Sequence, residues 1–401
     1  MKIPHDKFCV LPWISLEASP IGTVRPCCLA EEEIVDSNSV KFNLNTANFT
    51  NIQNSEYMYQ LRQAFLNYGR PATCRKCWDE ESAGRTSKRM HTLDRLKHII
   101  TDTEWTHDAK PLMFLDLKLG NICNLKCRIC GSWSSSQSAT EEIQATEPER
   151  RKKTFAYQML RAGAWPRENK NFWDQIDNCL NDIRYIEFTG GEPFLIQEHF
   201  DMLQGIVDRG IAHQVEIHYN TNGTQYPENA EAIWANFKTV EIAFSIDDLY
   251  DRFEYQRTNA VWAEVVANID RFKAMRSRNK NITLQCCSTV NIFNIAYITE
   301  LAHWIDQQDF NFVYWNMLHE IRCFSIASLP DNAKLTIAQR LIMQDIPDRH
   351  MQEFGRIIDF MRNGSSSDGT EMLERIRNLD QLRNQNLRAV APELADIIGY
   401  E

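Results

Sequence analysis

The sequence predicts an α/β fold of parallel strands and helices, preceded by a small cysteine-rich module and followed by further helices. The main support for this fold prediction is that six strand-like runs alternate with amphipathic helical segments from about residue 112 onward. Such alternation implies parallel crossover units, which can form a full barrel, a partial barrel or an open sheet. The strand-like runs cover residues 112–118, 183–189, 214–219, 239–246, 282–290 and 311–317.

The two ends of the chain differ from this middle region. Residues 1–80 are rich in cysteine and turn-forming residues and contain one helical stretch near 55–67. The C-terminal part reads as helices interrupted by the Gly/Ser-rich segment NGSSSDGT. We therefore predict four parts, which are an auxiliary module over residues 1–90, a linker over 91–110, an α/β core over 111–330 and a helical extension over 331–401.

Composition bounds the location and the partners of the protein. The 401 residues include 44 basic and 54 acidic side chains, which give a net charge of −10 at pH 7. This acidic surplus disfavours general nucleic-acid binding, which depends on counterion release by basic proteins. No apolar run approaches the ~20 residues of a membrane span, and the start MKIPHDKFCVLPW lacks the apolar segment of a secretory signal. We expect a cytoplasmic protein that does not enter a membrane.

Twelve cysteines are many for such a chain, because disulfides are disfavoured in the cytoplasm. Three of them, Cys123, Cys127 and Cys130, follow the first core strand at spacings of four and three. A closed zinc site needs four ligands, and no second cysteine or histidine pair follows residue 130. Three thiolates on a four-iron cluster would instead leave one iron with a free coordination position, where a substrate or cofactor can bind.

The triplet Cys123-x3-Cys127-x2-Cys130, with Ile129 before the last cysteine, resembles the signature of the radical S-adenosylmethionine (SAM) superfamily. The segments TGGEP, NTNGT, FSIDD, YQR and STVNIFN resemble further elements of that family, in order, at the ends of successive predicted strands. The resemblance covers roughly residues 110–330 and implies a partial (β/α)6 barrel of the TIM-like type. It also implies SAM-binding roles for Ile129, Gly190, Gly191, Glu192, Pro193, Asn222, Ser245, Arg257 and Asn291.

The resemblance assigns these positions to parts of SAM. The run Gly190–Pro193 would receive the methionine amino group, for which backbone carbonyls and a carboxylate are suited. Asn222 would lie at the ribose, and Ser245 and Arg257 would hold the ribose and the carboxylate. Asn291 and Ile129 would lie near the adenine.

Membership would also imply the reaction. SAM would be cleaved reductively at a [4Fe–4S] cluster, and the resulting 5′-deoxyadenosyl radical would abstract a hydrogen atom from the substrate. We therefore expect a radical SAM oxidoreductase, reduced by a reductase or a flavodoxin-type donor. Peptides, sugars and nucleotides all remain open as substrate classes.

The N-terminal module can supply a second, closed set of four thiolates. Its candidate ligands are Cys9, one of the adjacent Cys27 and Cys28, Cys74 and Cys77. This pattern resembles the SPASM or twitch auxiliary-cluster module, which follows the SAM domain in most family members but precedes it here. We expect an auxiliary [4Fe–4S] cluster for electron transfer, held by Cys9, Cys27, Cys74 and Cys77, with Cys28 as the alternative to Cys27.

Other assignments stay open at this point. Cys323 follows the last predicted strand and is a candidate catalytic thiol, whereas packing is the expected role of Cys179, Cys286 and Cys287. The basic and aromatic segment 147–175 is a candidate lid or a solvated helix. The alternatives to a radical enzyme are a zinc-binding adaptor, which would contain zinc and no brown chromophore, and a cluster-binding scaffold, which would form no 5′-deoxyadenosine.

Overall fold

The computed structural model describes residues 3–82, 84, 86–97, 100, 104–167, 169–319 and 321–401. The chain divides into two compact units. The first contains Met1–Cys123, Ser132–Tyr219 and Pro227–Val240, and the second contains Asn124–Gly131, Asn220–Tyr226 and Glu241–Glu401. The predicted linker over residues 91–110 lies partly outside the described residues, and the four predicted parts of the chain remain predictions.

All six predicted core strands are present, each within two residues of its predicted ends. The strands are Ser15–Ala18 (β1), Val24–Arg25 (β2), Phe114–Lys118 (β3), Lys126–Cys127 (β4), Tyr185–Thr189 (β5), Glu216–Thr221 (β6), Thr239–Ser245 (β7), Arg257–Thr258 (β8), Ile282–Val290 (β9) and Phe312–Met317 (β10). The boundary between the units passes through β6 and β7, which begin in the first unit and end in the second.

Strands of the first unit lie in the order β6–β5–β3–β1–β2. The pairs β1–β3, β3–β5 and β5–β6 are parallel, and β1–β2 is an antiparallel hairpin. The N-terminal module therefore adds two strands to the core sheet, which the sequence did not predict. Both are very short, and a strand of two to four residues leaves almost no periodic signal in a sequence.

Strands of the second unit follow the same parallel pattern. Residues 241–245 of β7, then β9 and β10, lie side by side in that order. β9 and β10 pair in parallel, with Cys287 opposite Tyr314. A separate two-stranded ladder joins β4 to β8 in antiparallel pairing. The predicted α/β class with parallel core strands is confirmed.

Helices of the first unit begin at residues that suit a helix start. Ser55, Ser87, Ser135, Thr154 and Asn169 each accept a hydrogen bond from a backbone N–H three residues later, which satisfies a donor that the helix leaves free. The helices are Leu11–Ile14 (α1), Phe49–Gln53 (α2), Glu56–Leu66 (α3), Arg75–Ser82 (α4), Lys88–Leu96 (α5), Ser136–Ala145 (α6), Phe155–Ala162 (α7), Lys170–Cys179 (α8), Gln197–Asp208 (α9) and Ala230–Trp234 (α10).

The predicted C-terminal helices are also confirmed in the second unit. The segment NGSSSDGT connects two of them, and Gly369 within it has a φ of +80°, which favours glycine. The helices of this unit are Tyr250–Gln256 (α11), Trp262–Arg278 (α12), Ile298–Gln307 (α13), Asp331–Met343 (α14), Met351–Asn363 (α15), Thr370–Arg383 (α16), Leu387–Val390 (α17) and Pro392–Ile398 (α18). No helix among the described residues is long and apolar enough to span a membrane.

The two faces of the first-unit sheet differ in polarity. On one face, Leu115, Ile186 and Tyr219 are buried, and His199 of α9 lies 3.1 Å from the Tyr219 hydroxyl. The other face carries charged side chains, which include Asp116 and Glu187. Parallel sheets that are covered on both sides are normally apolar on both faces. Packing of the fold alone therefore does not explain the charged side chains on this face.

Candidate functional site

Four of the five N-terminal cysteines line one cavity in the first unit. Cys9 precedes α1, Cys27 follows β2, Cys74 ends a short 3-10 helix, and Cys77 lies in α4. The other lining residues are Leu11, Leu29, Ala30, Phe65, Lys88 and Arg89. The fold thus gathers in one place thiols from three separate segments of the sequence.

The chemistry of these thiols fits an iron–sulfur cluster. Burial raises the pKa of each of them, to about 11 at Cys27, and neighbouring thiols raise it further at Cys9 and Cys74. Crowded thiolates in apolar surroundings require a cationic partner, which a cluster provides. Within the described ranges, no three His, Cys, Asp or Glu side chains are grouped so that they could hold a metal ion. The four cysteines are therefore not arranged around a single metal ion, but they line one shared cavity.

Cys28 lies outside this cavity, although it directly follows Cys27. Burial raises the pKa of Cys28, and the carboxylates of Asp116 and Glu187 raise it further, against the opposing effect of Lys88. Cys28 therefore lies near the charged side chains of β3 and β5. The structure therefore places Cys27, and not Cys28, with the other three candidate ligands of the auxiliary set.

Cys127 and Cys130 belong to the second unit, where Arg257 lies against Cys127. The β4–β8 ladder pairs Cys127 directly with Arg257, and the Arg257 Nη1 atom lies 3.8 Å from the Cys127 sulfur. The Nε and Nη2 atoms of Arg257 donate to Oδ2 of Asp247 at 3.0 and 2.6 Å, which fixes the guanidinium. A hydrogen bond with Cys130 and the charge of Arg257 lower the pKa of Cys127 to about 7, although burial opposes them. Cys127 therefore ionises more readily than an ordinary cysteine, as a metal ligand requires.

Cys123 belongs to the first unit, and the turn after β5 holds the backbone just before it. The Glu192 N–H donates to the Ile122 carbonyl at 2.8 Å, and the Cys123 N–H donates to Ser136 Oγ at 3.2 Å. Glu192 is fully buried, and the following Pro193 begins a short 3-10 helix. The TGGEP turn and the start of the cysteine segment, which are far apart in sequence, are therefore in contact.

Both glycines of this turn adopt left-handed backbone conformations. Gly190 has a φ of +73° and Gly191 a φ of +50°. A Cβ atom on Gly191 would lie 2.3 Å from the Ile122 carbonyl oxygen, and one on Gly190 would lie 2.9 Å from Lys118 Cβ. The close approach needs residues without a side chain.

Replacing Gly191 by alanine is expected to destabilise the protein and displace this turn. The backbone strain costs about 1–3 kcal/mol, and the steric overlap with Ile122 adds about 1–3 kcal/mol. The matched control is Gly210→Ala, because Gly210 has a φ of +71° but no atom within 4 Å of its added Cβ. Urea unfolding of both variants measures the difference, and equal unfolding free energies would show that the turn is not tightly packed.

Two predicted SAM-binding asparagines are held within loops of the second unit. Asn222 donates to Asn124 Oδ1 at 3.0 Å and accepts from the Thr224 N–H at 2.9 Å. Asn291 is fully buried, donates to the Thr289 carbonyl at 2.9 Å and accepts from the Phe293 N–H at 2.8 Å. These bonds shape the loops at the ends of β6 and β9.

Two further residues that the resemblance assigns to SAM binding, Ser245 and Ile129, are only partly buried. Ser245 is the last residue of β7 and is half-buried. Ile129 is also half-buried and lies between Cys127 and Cys130. Roles for both in SAM binding remain predictions.

Arg128 and Asp380 form a buried ion pair that no sequence pattern predicted. The Arg128 side chain is fully buried, and its Nη2 atom donates to Asp380 Oδ1 at 2.5 Å. Asp380 also accepts from the hydroxyls of Tyr255 at 2.9 Å and Tyr400 at 2.7 Å. A C-terminal helix, α16, therefore holds the residue between Cys127 and Cys130. The sequence did show a charged residue, Arg128, inside the cysteine motif. It could not show the partner of that residue, which lies 252 positions away.

The other cysteines lie outside both thiol groups. Cys323 is in a short 3-10 helix, its sulfur is 4.0 Å from Arg375 Nη1 in α16, and burial raises its pKa. Cys286 is fully buried, whereas Cys179 and Cys287 are half-buried. A catalytic role for Cys323 remains a prediction.

The aromatic part of the 147–175 segment is packed into the first unit. Trp165 and Phe172 are buried, with ring centres 4.8 Å apart, and Phe172 also meets Phe49 of α2 edge to face. In the preceding part, Lys152 and Phe155 are exposed. Trp165 and Phe172 therefore serve packing, which argues against a movable lid in that part of the segment.

Comparison with known proteins identifies two domains. Residues 117–304 match the radical SAM superfamily, and residues 9–78 match SPASM, an iron–sulfur cluster-binding domain. No curated protein matches the chain.

Solved structures of low sequence identity are also similar. Native anSMEcpe with bound AdoMet is 16% identical, with coverage of 67% of this chain and 66% of that chain and a TM-score of 0.40. SuiB of Streptococcus suis is 11% identical, with coverage of 92% and 71% and a TM-score of 0.34.

Proposed function

We propose, from the premise that this chain belongs to the radical SAM superfamily and carries a SPASM-family cluster-binding domain, that it is an oxidoreductase that abstracts a hydrogen atom from its substrate. The cofactors of such a chain are SAM, a [4Fe–4S] cluster for SAM and an auxiliary iron–sulfur cluster. The observation that carries the proposed oxidation is the cavity lined by four thiols in the first unit.

Cys123, Cys127 and Cys130 would hold the cluster that binds SAM. When bound there, this cluster supplies the electron that breaks the C5′–S bond of SAM and yields the 5′-deoxyadenosyl radical for hydrogen abstraction. Arg257, fixed by Asp247, lies against the Cys127 sulfur, where its charge favours the anionic form. With only these three thiolates, one position on the cluster would stay open for the amino and carboxylate groups of SAM.

The turn from Gly190 to Pro193 would receive the ammonium group of SAM. Its glycines allow close backbone approach, and the buried Glu192 supplies a carboxylate of opposite charge. Glu192 Oε1 accepts a hydrogen bond from the Phe194 N–H at 3.2 Å, which orients the carboxylate.

Cys9, Cys27, Cys74 and Cys77 would hold the auxiliary cluster. Four thiolate ligands leave no position for a substrate, so this set suits electron transfer. A substrate that loses a hydrogen atom and then an electron is oxidised by two electrons, with release of one proton.

The double substitution Cys74→Ala/Cys77→Ala tests this proposal. We expect product formation to be lost while 5′-deoxyadenosine is still formed, and iron to fall from about eight to about four per chain. Cell extracts incubated anaerobically with the enzyme, SAM and dithionite are profiled for products by mass spectrometry.

Single variants supply the matched controls. Cys28→Ala is expected to keep all the iron, whereas Cys27→Ala is expected to lose about half. Unchanged product formation by the double variant would contradict the electron-transfer role. Zinc in place of iron, or no 5′-deoxyadenosine from the unaltered protein, would contradict the enzyme assignment itself.

The proposal also includes the substrate class, the electron donor and the cellular location. The substrate is a peptide, a sugar or a nucleotide, and a reductase or flavodoxin-type protein supplies the electrons. We place the protein in the cytoplasm, because a reducing compartment disfavours disulfides and so keeps the candidate ligand cysteines available to bind iron.

A further inference from the structure

A row of four polar residues crosses the first-unit sheet. Glu17 of β1 pairs with Asp116 of β3, Asp116 pairs with Glu187 of β5, and Glu187 pairs with His218 of β6. Residues in register on parallel strands point to the same face, about 4.8 Å apart. We call these four residues the charged row. Three adjacent carboxylates destabilise a sheet unless other groups compensate them.

The two outer carboxylates of the charged row are compensated. Arg25 donates to both oxygens of Glu17, each at 2.9 Å, and Lys118 also donates to Glu17. Lys88 donates to Glu187 at 2.7 Å. Although burial opposes it, the charge of Lys88 lowers the pKa of Glu187. Both outer carboxylates are therefore held as paired anions.

Asp116, between them, has no such partner. Its residue is 1% exposed, and neither carboxylate oxygen has a hydrogen-bond partner in the part of the chain that the structure describes. Burial and the charges of Glu187 and Glu17 raise the pKa of Asp116 to about 6, against the opposing effects of Lys118 and Lys88. An unpartnered buried carboxylate is costly to keep and does not contribute to folding.

We propose that the charged row is the substrate-recognition site and that Asp116 binds a protonated amino or guanidino group of the substrate. This inference rests on the proposed function. The donors of Arg25, Lys118 and Lys88 point at Glu17 and Glu187, which leaves both Asp116 oxygens for a ligand. A cationic N–H donor suits them, because charge-assisted hydrogen bonds are about twice as strong as neutral ones.

The position of the row agrees with this role. The Lys88 and Lys118 side chains, which flank Asp116, remain 22% and 19% exposed, so the row is not enclosed completely. Lys118 packs against Gly190, the first residue of the turn proposed to receive SAM. A substrate held at Asp116 would thus lie next to that turn within the same unit.

Binding of small amines tests the assignment. The reconstituted full-length protein is titrated with n-butylammonium and n-butylguanidinium, and with n-butanol and butyrate as neutral and anionic probes, by ligand-observed NMR. We expect the two cations alone to bind, with dissociation constants of about millimolar order for such small probes. Asp116→Asn is expected to weaken their binding at least about tenfold, the usual effect of losing a hydrogen bond to a charged group.

Two further variants separate recognition from structure. Asp174→Asn, which changes an exposed carboxylate of the same unit, is expected to leave amine binding unchanged. Glu17→Gln is expected to lower the unfolding midpoint, because it leaves Arg25 and Lys118 without their shared partner. Asp116→Asn should raise the midpoint at pH 7.5, since it removes an uncompensated buried charge.

The sign of this stability effect follows from the raised pKa of Asp116. A carboxyl that holds its proton more tightly in the folded state loses stability as the pH rises from about 4 to about 6. Glu17, Glu187, Lys118, Lys88 and Cys28 are the charged or titratable groups that influence this behaviour. The advantage of Asp116→Asn should therefore be present at pH 7.5 and shrink toward pH 4.

Equal amine binding by the Asp116→Asn variant, or no binding by the unaltered protein, would overturn the recognition role. A fall in the unfolding midpoint, as for Glu17→Gln, would make Asp116 a structural residue and overturn it as well. Formation of 5′-deoxyadenosine from SAM and dithionite is measured separately on the unaltered protein. Its absence would overturn the proposed function, whatever the amine titration shows.

Discussion

Replacing Cys127 by alanine is expected to lower 5′-deoxyadenosine formation by about four orders of magnitude or more, the scale on which removal of an essential group acts. Cys127 is buried, and Arg257 and Cys130 stabilise its anionic form. Without it, the cysteine triplet is reduced to two thiols that cannot retain the SAM-binding cluster. Iron should fall from about eight to about four per chain, while the auxiliary set is untouched.

The control for this experiment is Cys179→Ala, which removes a thiol at the end of α8 and outside both thiol groups. It should keep the full iron content and the full rate of SAM cleavage. The measurements are iron analysis and chromatography of SAM incubated anaerobically with dithionite and enzyme. Retention of SAM cleavage by the Cys127 variant would show that the triplet does not hold the catalytic cluster.

The second large effect is expected at Asp380. Asp380→Asn should lower the free energy of unfolding by about 3–5 kcal/mol, because it leaves the Arg128 charge buried without its counter-ion. Arg128 lies between Cys127 and Cys130, so the loop that carries these ligands should loosen as well. We expect the variant to lose iron to a chelator faster than the unaltered protein, while urea unfolding measures its stability.

Two comparisons show whether the pair itself is responsible. Arg128→Met/Asp380→Asn removes both charges while an amide oxygen remains for the Tyr255 and Tyr400 hydroxyls, so it should recover much of the lost stability. Asp396→Asn breaks the exposed pair with Arg388 and should change stability by no more than about 1 kcal/mol. If the Asp380→Asn variant were as stable as the Asp396→Asn variant, α16 would not hold the loop that carries Cys127 and Cys130.

Local patterns were sufficient for the core of the fold. The six long core strands and the helices between them were predictable, because side-chain periodicity over five or more residues reports directly on burial. β1 and β2 were not, since they have four and two residues and pair with partners determined by tertiary contacts. The charged row depends on that pairing, so Asp116 looked like an ordinary strand residue in the sequence.

In the candidate site, too, one part could be predicted from the sequence and another could not. Spacing alone grouped Cys123, Cys127 and Cys130, but it left Cys27 and Cys28 as alternatives. The spacings of two adjacent residues to every other ligand differ by only one position, so their side-chain directions have to distinguish them. The structure directs Cys27 to the thiol cavity and places Cys28 near Asp116.

The sequence by itself determined the α/β class, the resemblance to the radical SAM superfamily and the candidate iron ligands, because these depend on periodicity and on short motifs. Only the tertiary structure decided which residues support those motifs. Asp380 reaches Arg128, Asp247 fixes Arg257, and Asp116 is buried without a partner. Such contacts join residues from separate parts of the chain, and their energies arise from burial and charge that exist only after folding.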